Sequence, residues 1–119
     1  MSLIDTGQIS ALTRFLDFAA QRQNAVTTNM ANVDTPGYRT KDVVDFRSML
    51  NSASEGMLET SARPAVREVE GLMERPDGNN VSLERESLLL AQTQLQFRTG
   101  VQLLRSEFRR LQMAINEGK

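Results

Sequence analysis

One stretch of this chain constrains its fold more than any other. From Leu83 to Ile115 the positions Leu83, Ser87, Leu90, Gln94, Phe97, Val101, Leu104, Phe108, Leu111 and Ile115 follow one another in alternating steps of four and three. That rhythm puts all ten on one helical stripe, with Ser87 and Gln94 its polar members. No proline interrupts residues 82–116, so the pattern predicts a single helix over that range, about 50 Å long. Ser82 is placed to cap its start. Glu84 and Glu86 lie near the beginning, and Arg105, Arg109 and Arg110 lie nearer the end, an order that complements the helix dipole. Leu88, Leu89, Leu95 and Leu103 carry apolar surface beyond the stripe, so the helix requires more than one neighbour. Gly100 marks a weak point or a place of close helix approach.

A second periodic run covers residues 9–33. Leu12, Leu16, Ala19, Val26, Met30 and Val33 share a stripe, with Gln23 filling its polar gap and Phe15 broadening it. Phe18, Gln21, Arg22 and Thr28 fall outside the narrow seam. The helix should stop near Asn32, which tolerates a left-handed terminating conformation. Pro36 lacks an amide hydrogen and drives Thr35 toward extended backbone. "TPGY" then fits a type II turn with Gly37 at its third position.

Residues 34–81 hold the turn and an irregular middle. Gly56, Gly71, Gly78, Pro64 and Pro76 break any long pattern there. "VVDF" suits a short strand or an interface patch. "AVREVEGL" alternates well enough for one strand, and a lone strand completes no sheet. This middle is expected to gain order on association. The predicted fold is mainly α: long N- and C-terminal helices packed as an antiparallel pair, closed through an irregular segment with short β elements. Two helices bury too few faces for a robust core, so assembly is expected to complete it.

Composition narrows the chemistry. The 119 residues include no histidine, cysteine or tryptophan and one tyrosine, Tyr38. Thiol nucleophiles, histidine acid–base catalysis and Cys/His metal sites are therefore absent. A formal net charge of -1 argues against nucleic-acid binding driven by overall charge. No apolar run is long enough to span a membrane. "MSLIDTGQIS" carries neither the basic region nor the apolar core of a cleavable signal.

Smaller patterns have plain readings beside their functional ones. Asp42 and Asp45 share a face only if their segment is helical; solvation, capping or ion pairing outweighs a metal or paired-acid site. An enzyme would need them, or Glu107, to converge in a cavity. "DGNN" fails the twelve-residue calcium pattern, and "NVS" reads as an exposed cap rather than a glycosylation acceptor. Gln23 and Gln94 either set helix register through hydrogen bonds or sit exposed beside it. Arg98, Arg105 and Arg109 form either a solvated face or an intersubunit ion-pairing surface. Leu12, Leu16, Val26, Leu90, Phe97, Val101, Leu104, Phe108, Leu111 and Ile115 are helix-packing candidates, within the chain first and between copies second. On residues alone the helix pair suits a structural subunit or a small coiled-coil adaptor or export chaperone.

"NMANVDTPGYR" at the end of the first helix, together with "DGNNVSLERE" leading into the second, resembles the bacterial flagellar basal-body rod proteins, most of all the proximal-rod members. The family carries Val-Asp where this chain has Val81-Ser82, and the serine keeps a plausible cap. The resemblance implies a noncatalytic structural subunit, without cofactor, that packs with other copies and related axial rod proteins. It further implies a link from the membrane-embedded base to the distal rod and the transmission of torque. Contacts with the flagellar type III export apparatus and membrane-base components, export without a cleavable signal, and a periplasmic site in the basal body follow from it. Residues 1–119 then form a single axial subunit. Asn32, Thr35, Pro36, Gly37 and Tyr38 match the motif that shapes a subunit contact; the plain alternative is a surface turn with a partly buried tyrosine.

Overall fold

The structure, a computed structural model, describes residues 6–44 and 65–118; Asp45 and most of the 47–76 segment lie outside them. Helix α1 spans Thr6–Ala31 and helix α2 spans Leu83–Glu117. Asn29 meets Glu86, while Phe15 and Leu16 meet Gly100, so the two helices run antiparallel. Strand β1, Lys41–Val43, pairs antiparallel with strand β2, Val66–Glu68, in the register Lys41↔Glu68, Asp42↔Arg67, Val43↔Val66. The strand expected in "AVREVEGL" thus has a partner, which shares only Val43 with the "VVDF" candidate; Asp45 and Phe46 lie outside the described residues. The molecule is mainly α and long, 68 × 29 × 17 Å. Its radius of gyration of 18.3 Å compares with about 13.5 Å for a compact domain of this length.

The buried line on α2 differs from the strongest apolar line in the sequence. Glu86, Thr93 and Gly100 are buried and succeed one another every seven residues, with Leu89 beside them. Leu90, Val101, Leu104 and Leu111 flank this line, partly buried, whereas Phe97, Phe108 and Ile115 are exposed. The cause is steric. Small side chains at Thr93 and Gly100 let α1 approach closely, which turns the bulkier residues to the rim. A Cβ at position 100 would stand 2.7 Å from a Leu16 methyl and 3.0 Å from the Phe15 ring. Thr93 satisfies its own hydroxyl by donating to the Leu89 carbonyl at 2.7 Å, so its burial leaves no orphan donor.

On α1 the buried residues are Phe18, Ala19, Ala25, Val26 and Asn29. Leu12 and Leu16 are half-buried. Phe18, expected outside the seam, is inside: α1 packs against both α2 and β1, and two neighbours require a wider face than one seam. Ser82 caps α2, its hydroxyl accepting from the Arg85 amide at 3.3 Å.

Candidate functional site

The end of α1, the turn, the strands and the start of α2 converge on one polar junction. A hydrogen bond of 3.2 Å from the Tyr38 amide to the Thr35 carbonyl closes "TPGY", and Gly37 supplies the positive φ, 75°, that a type II turn needs. The Gly37 amide then donates to the Asp77 carbonyl at 2.9 Å. Gly78 packs against it so closely that an added Cβ would lie 3.3 Å from the Gly37 Cα. The two glycines bring the 77–80 loop onto the turn.

That loop caps α1. The side-chain amide of Asn79, fully buried, donates to the carbonyls of Asn32, Val33 and Thr35 at 2.9, 3.1 and 2.9 Å. Helix C-termini leave carbonyls unpaired, and here a side chain more than forty residues downstream supplies the donor. Arg75 reaches the same Val33 carbonyl. The Asn79 carbonyl oxygen accepts from the Val81 amide at 2.8 Å, which sets the entry into α2. Asn32 takes no left-handed conformation; among the described residues none other than glycine has positive φ. Its side chain donates to Thr28 at 2.8 Å and accepts from the Thr35 hydroxyl at 3.0 Å. With Asn79 on the remaining carbonyls, a backbone reversal is unnecessary.

A second amide centre sits one helical turn earlier. Asn29 donates to the Lys41 carbonyl at 2.7 Å and to Glu86 Oε1 at 3.1 Å. Its own oxygen accepts from the Tyr38 hydroxyl at 2.9 Å and the Lys41 amide at 3.0 Å. One side chain therefore joins α1, the turn, β1 and α2. Asn80 Oδ1 accepts from the Thr40 amide at 2.6 Å. Asn80, the first residue of the "NVS" read as an exposed cap, is thus buried, as is Asn79.

Charge is folded into the same junction. Asp42 pairs with Arg22 at 3.3 Å and Arg85 at 3.2 Å, and Arg85 also holds Glu86 at 2.9 Å. Glu86 is 0 % exposed, and its Oε2 has no hydrogen-bond partner among the described residues. Burial pushes its carboxyl above the ordinary range, against the opposing pull of Asn29 and Arg85. Burial, then the nearby Glu86, raises the Tyr38 phenol as well. Asp42 therefore serves ion pairing. Glu107 belongs to a separate pair with Arg110 at 3.4 Å, so the two described members of the acid set do not converge. No group of three His, Cys, Asp or Glu residues able to hold a metal occurs among the described residues.

The residues expected to shape a subunit contact therefore have a defined local setting: Tyr38 and Asn32 are half-buried in the junction, while Thr35, Pro36 and Gly37 are exposed. Val26 is buried. Elsewhere on α2, Leu88, Leu95, Phe97, Leu103, Phe108 and Ile115 are exposed, between 40% and 63%. Gln23, Gln94, Phe97, Val101, Arg98 and Arg105 border one open groove of about 500 Å³. Asn29, Asn79, Asn80 and Glu86 are the residues the sequence did not single out as buried partners.

A family model for flagella basal body rod proteins matches residues 8–39, which end inside this junction. The flagellar basal body rod protein FlgB of Salmonella typhimurium is 30% identical, over 93% of this chain and 97% of that protein. That of Cereibacter sphaeroides is 34% identical over 91% and 93%, and that of Bacillus subtilis 28% identical over the whole of both chains.

Proposed function

Because the chain belongs to the FlgB family of flagellar basal body rod proteins, we propose that it is one axial subunit of the rod, joining the membrane-embedded base to the distal rod and transmitting torque. Its role is structural and not enzymatic, as that family's is. The observation that carries the finer reading is the uncovered apolar surface of α2: Leu95, Leu103, Phe108 and Ile115 lie open on a helix already packed against α1. Neighbouring copies and related axial proteins cover those faces in coiled-coil fashion. Leu90, Val101, Leu104 and Leu111, half-buried in the subunit, form the border of that packing.

Torque passes along the two helices and between them through the junction, where hydrogen bonds and ion pairs resist shear that apolar contacts alone would permit. The "TPGY" turn presents Thr35, Pro36 and Gly37 outward as part of a subunit contact, held from behind by Asn79. The chain works in the periplasm, reached through the flagellar type III export apparatus. No helix among the described residues is long and apolar enough to cross a membrane. Propagation along an axis needs two different surfaces on each copy, since a single self-complementary surface closes into a dimer.

Electron microscopy of basal bodies from a strain lacking this chain, beside a complemented control, tests the proposal. Membrane rings without rod or hook, restored by complementation, are the expected result. A complete rod and hook in the deletion strain would instead favour an adaptor or export chaperone.

A further inference from the structure

The exposed charge of this molecule is distributed unevenly along its length. Arg98 and Arg105 stand seven residues apart on α2 and border the open groove whose floor includes Phe97 and Val101. Neither arginine forms a salt bridge among the described residues. The groove begins at Gln94, eight residues past Glu86, and so lies about 12–28 Å along α2 from the polar junction. It is a mixed trough, with Phe97 and Val101 set among Gln23, Gln94 and Gln102 and two arginines on its wall.

The complementary chemistry lies beside the polar junction. Residues 66–73 read "VREVEGLM"; they continue from β2 and bend at Gly71, whose φ is 81°. Strand alternation places Glu68 on one face and Arg67 on the other. Glu68 and Glu70 are exposed and form no salt bridge among the described residues. Met73, 92% exposed, is the most exposed large apolar side chain described. The segment is nevertheless held in place: the Val69 amide donates to the Thr40 carbonyl at 2.8 Å, and Glu74, just beyond it, pairs with Arg39. An anchored strip with two free carboxylates and a projecting methionine matches a trough with two free guanidiniums and an aromatic floor.

We propose that the Glu68–Met73 strip of one copy docks in the Phe97–Arg105 groove of a second copy, Met73 against Phe97 and Val101, Glu68 and Glu70 against Arg98 and Arg105. This rests on the axial-subunit reading and specifies one of its contacts. The strip lies beside the polar junction and the groove midway along α2, and the contact proposed is heterologous: each copy that offers its strip still has a free groove. Such a contact propagates along an axis rather than closing.

The chain has no cysteine, which makes the contact directly readable. Met73→Cys and Gln102→Cys, the second at a residue that also lines the groove, expressed together in one strain and oxidised in flagellated cells, should give a disulfide-linked dimer in the basal-body fraction that neither variant gives alone. Adding Arg98→Glu and Arg105→Glu should lower the linked fraction about tenfold, and adding Glu68→Arg and Glu70→Arg to those should restore most of it. The chain present in basal bodies without a 73–102 link, or a link indifferent to the charge reversals or not rescued by the double swap, overturns the docking and leaves the axial-subunit reading standing. Absence of the unmodified chain from basal bodies overturns that reading itself.

Discussion

The two ends of α2 solve the same problem in opposite ways. At its start, polar groups are buried and most are answered from within the chain: Asn29, Asn79 and Tyr38 each reach across elements, and Glu86 is enclosed completely with only its Oε1 paired. Toward its end, large apolar groups are left open, with Phe108 and Ile115 both 52% exposed. Buried amides and carboxylates are expensive unless every partner is present, so the first region specifies one arrangement of the turn and helices. Exposed Leu and Phe tolerate many arrangements and are satisfied by any well-shaped apolar neighbour. The junction therefore defines the subunit, and the far half of α2 remains available for assembly.

The comparison is most easily broken at Asn79. Asn79→Ala removes the donor to three carbonyls of the α1 terminus and the acceptor for Val81. A loss of about 3 kcal/mol is expected, with the circular-dichroism melting temperature falling by roughly 10 °C. Asn79→Asp should be no better, because it keeps the acceptor but sets a negative charge at the negative end of the helix dipole. A change below about 0.5 kcal/mol for the alanine variant would mean that water replaces the amide and that the junction is not a structural lock.

Gly100 probes the helix approach between the two regions. Gly100→Leu must push Leu16 and Phe15 aside and should cost about 2 kcal/mol. Gly100→Ala should fall within about 1 kcal/mol of the parent, because the clash is with the ends of side chains able to shift and alanine favours the helix. Thermal melts of the pair decide it. Equal, negligible effects would show that α1 and α2 are not held closely at this level.

How much of this was legible in the sequence follows the same division. Both long helices were, since an apolar residue every three or four positions is a local signal. So was the Pro36-Gly37 turn, whose constraints lie in the two residues themselves. Of the line of α2 that faces α1, only Gly100, read as a weak point or a place of close helix approach, was legible. Periodicity ranks positions by hydrophobicity and selected Phe97, Phe108 and Ile115, whereas close packing selected the small Thr93 and Gly100. The junction was hidden for another reason: its pairs lie far apart, Asn29 with Glu86 and Asn79 with Asn32, and an isolated asparagine reads as surface. The one available hint was the concentration of amides at the two places, "NMAN" and "DGNN", that the chain must bring together to cap a helix.

Proton linkage sharpens the comparison further. The Glu86 carboxyl is raised in the folded chain above its ordinary value of 4.5, so between those two values the folded state binds more protons than the unfolded state. Stability contributed by this group is complete below the ordinary value and is lost as pH rises through the raised one. Glu86→Gln should flatten that part of the stability-versus-pH curve, measured by urea unfolding from mildly acidic to neutral pH. An unchanged slope in the variant would assign the linkage to other groups.

The smallest effect on the isolated fold belongs to the open half of α2, and it is the most informative. Phe108→Ser removes a side chain that is already half in water, so the isolated subunit should change by about 0.5 kcal/mol or less. In the assembly the same ring is expected to be covered, and its removal should sharply lower incorporation into basal bodies, read by immunoblot of the purified fraction against a complemented control. Asn79→Ala should lose fold and incorporation together, Phe108→Ser incorporation alone. If the serine variant incorporates normally, this face stays in water in the rod, and the covered surface must be sought around Leu88 and Leu95 instead. If it unfolds the free subunit, Phe108 already belongs to the internal core, and the contrast between the two ends of α2 does not hold.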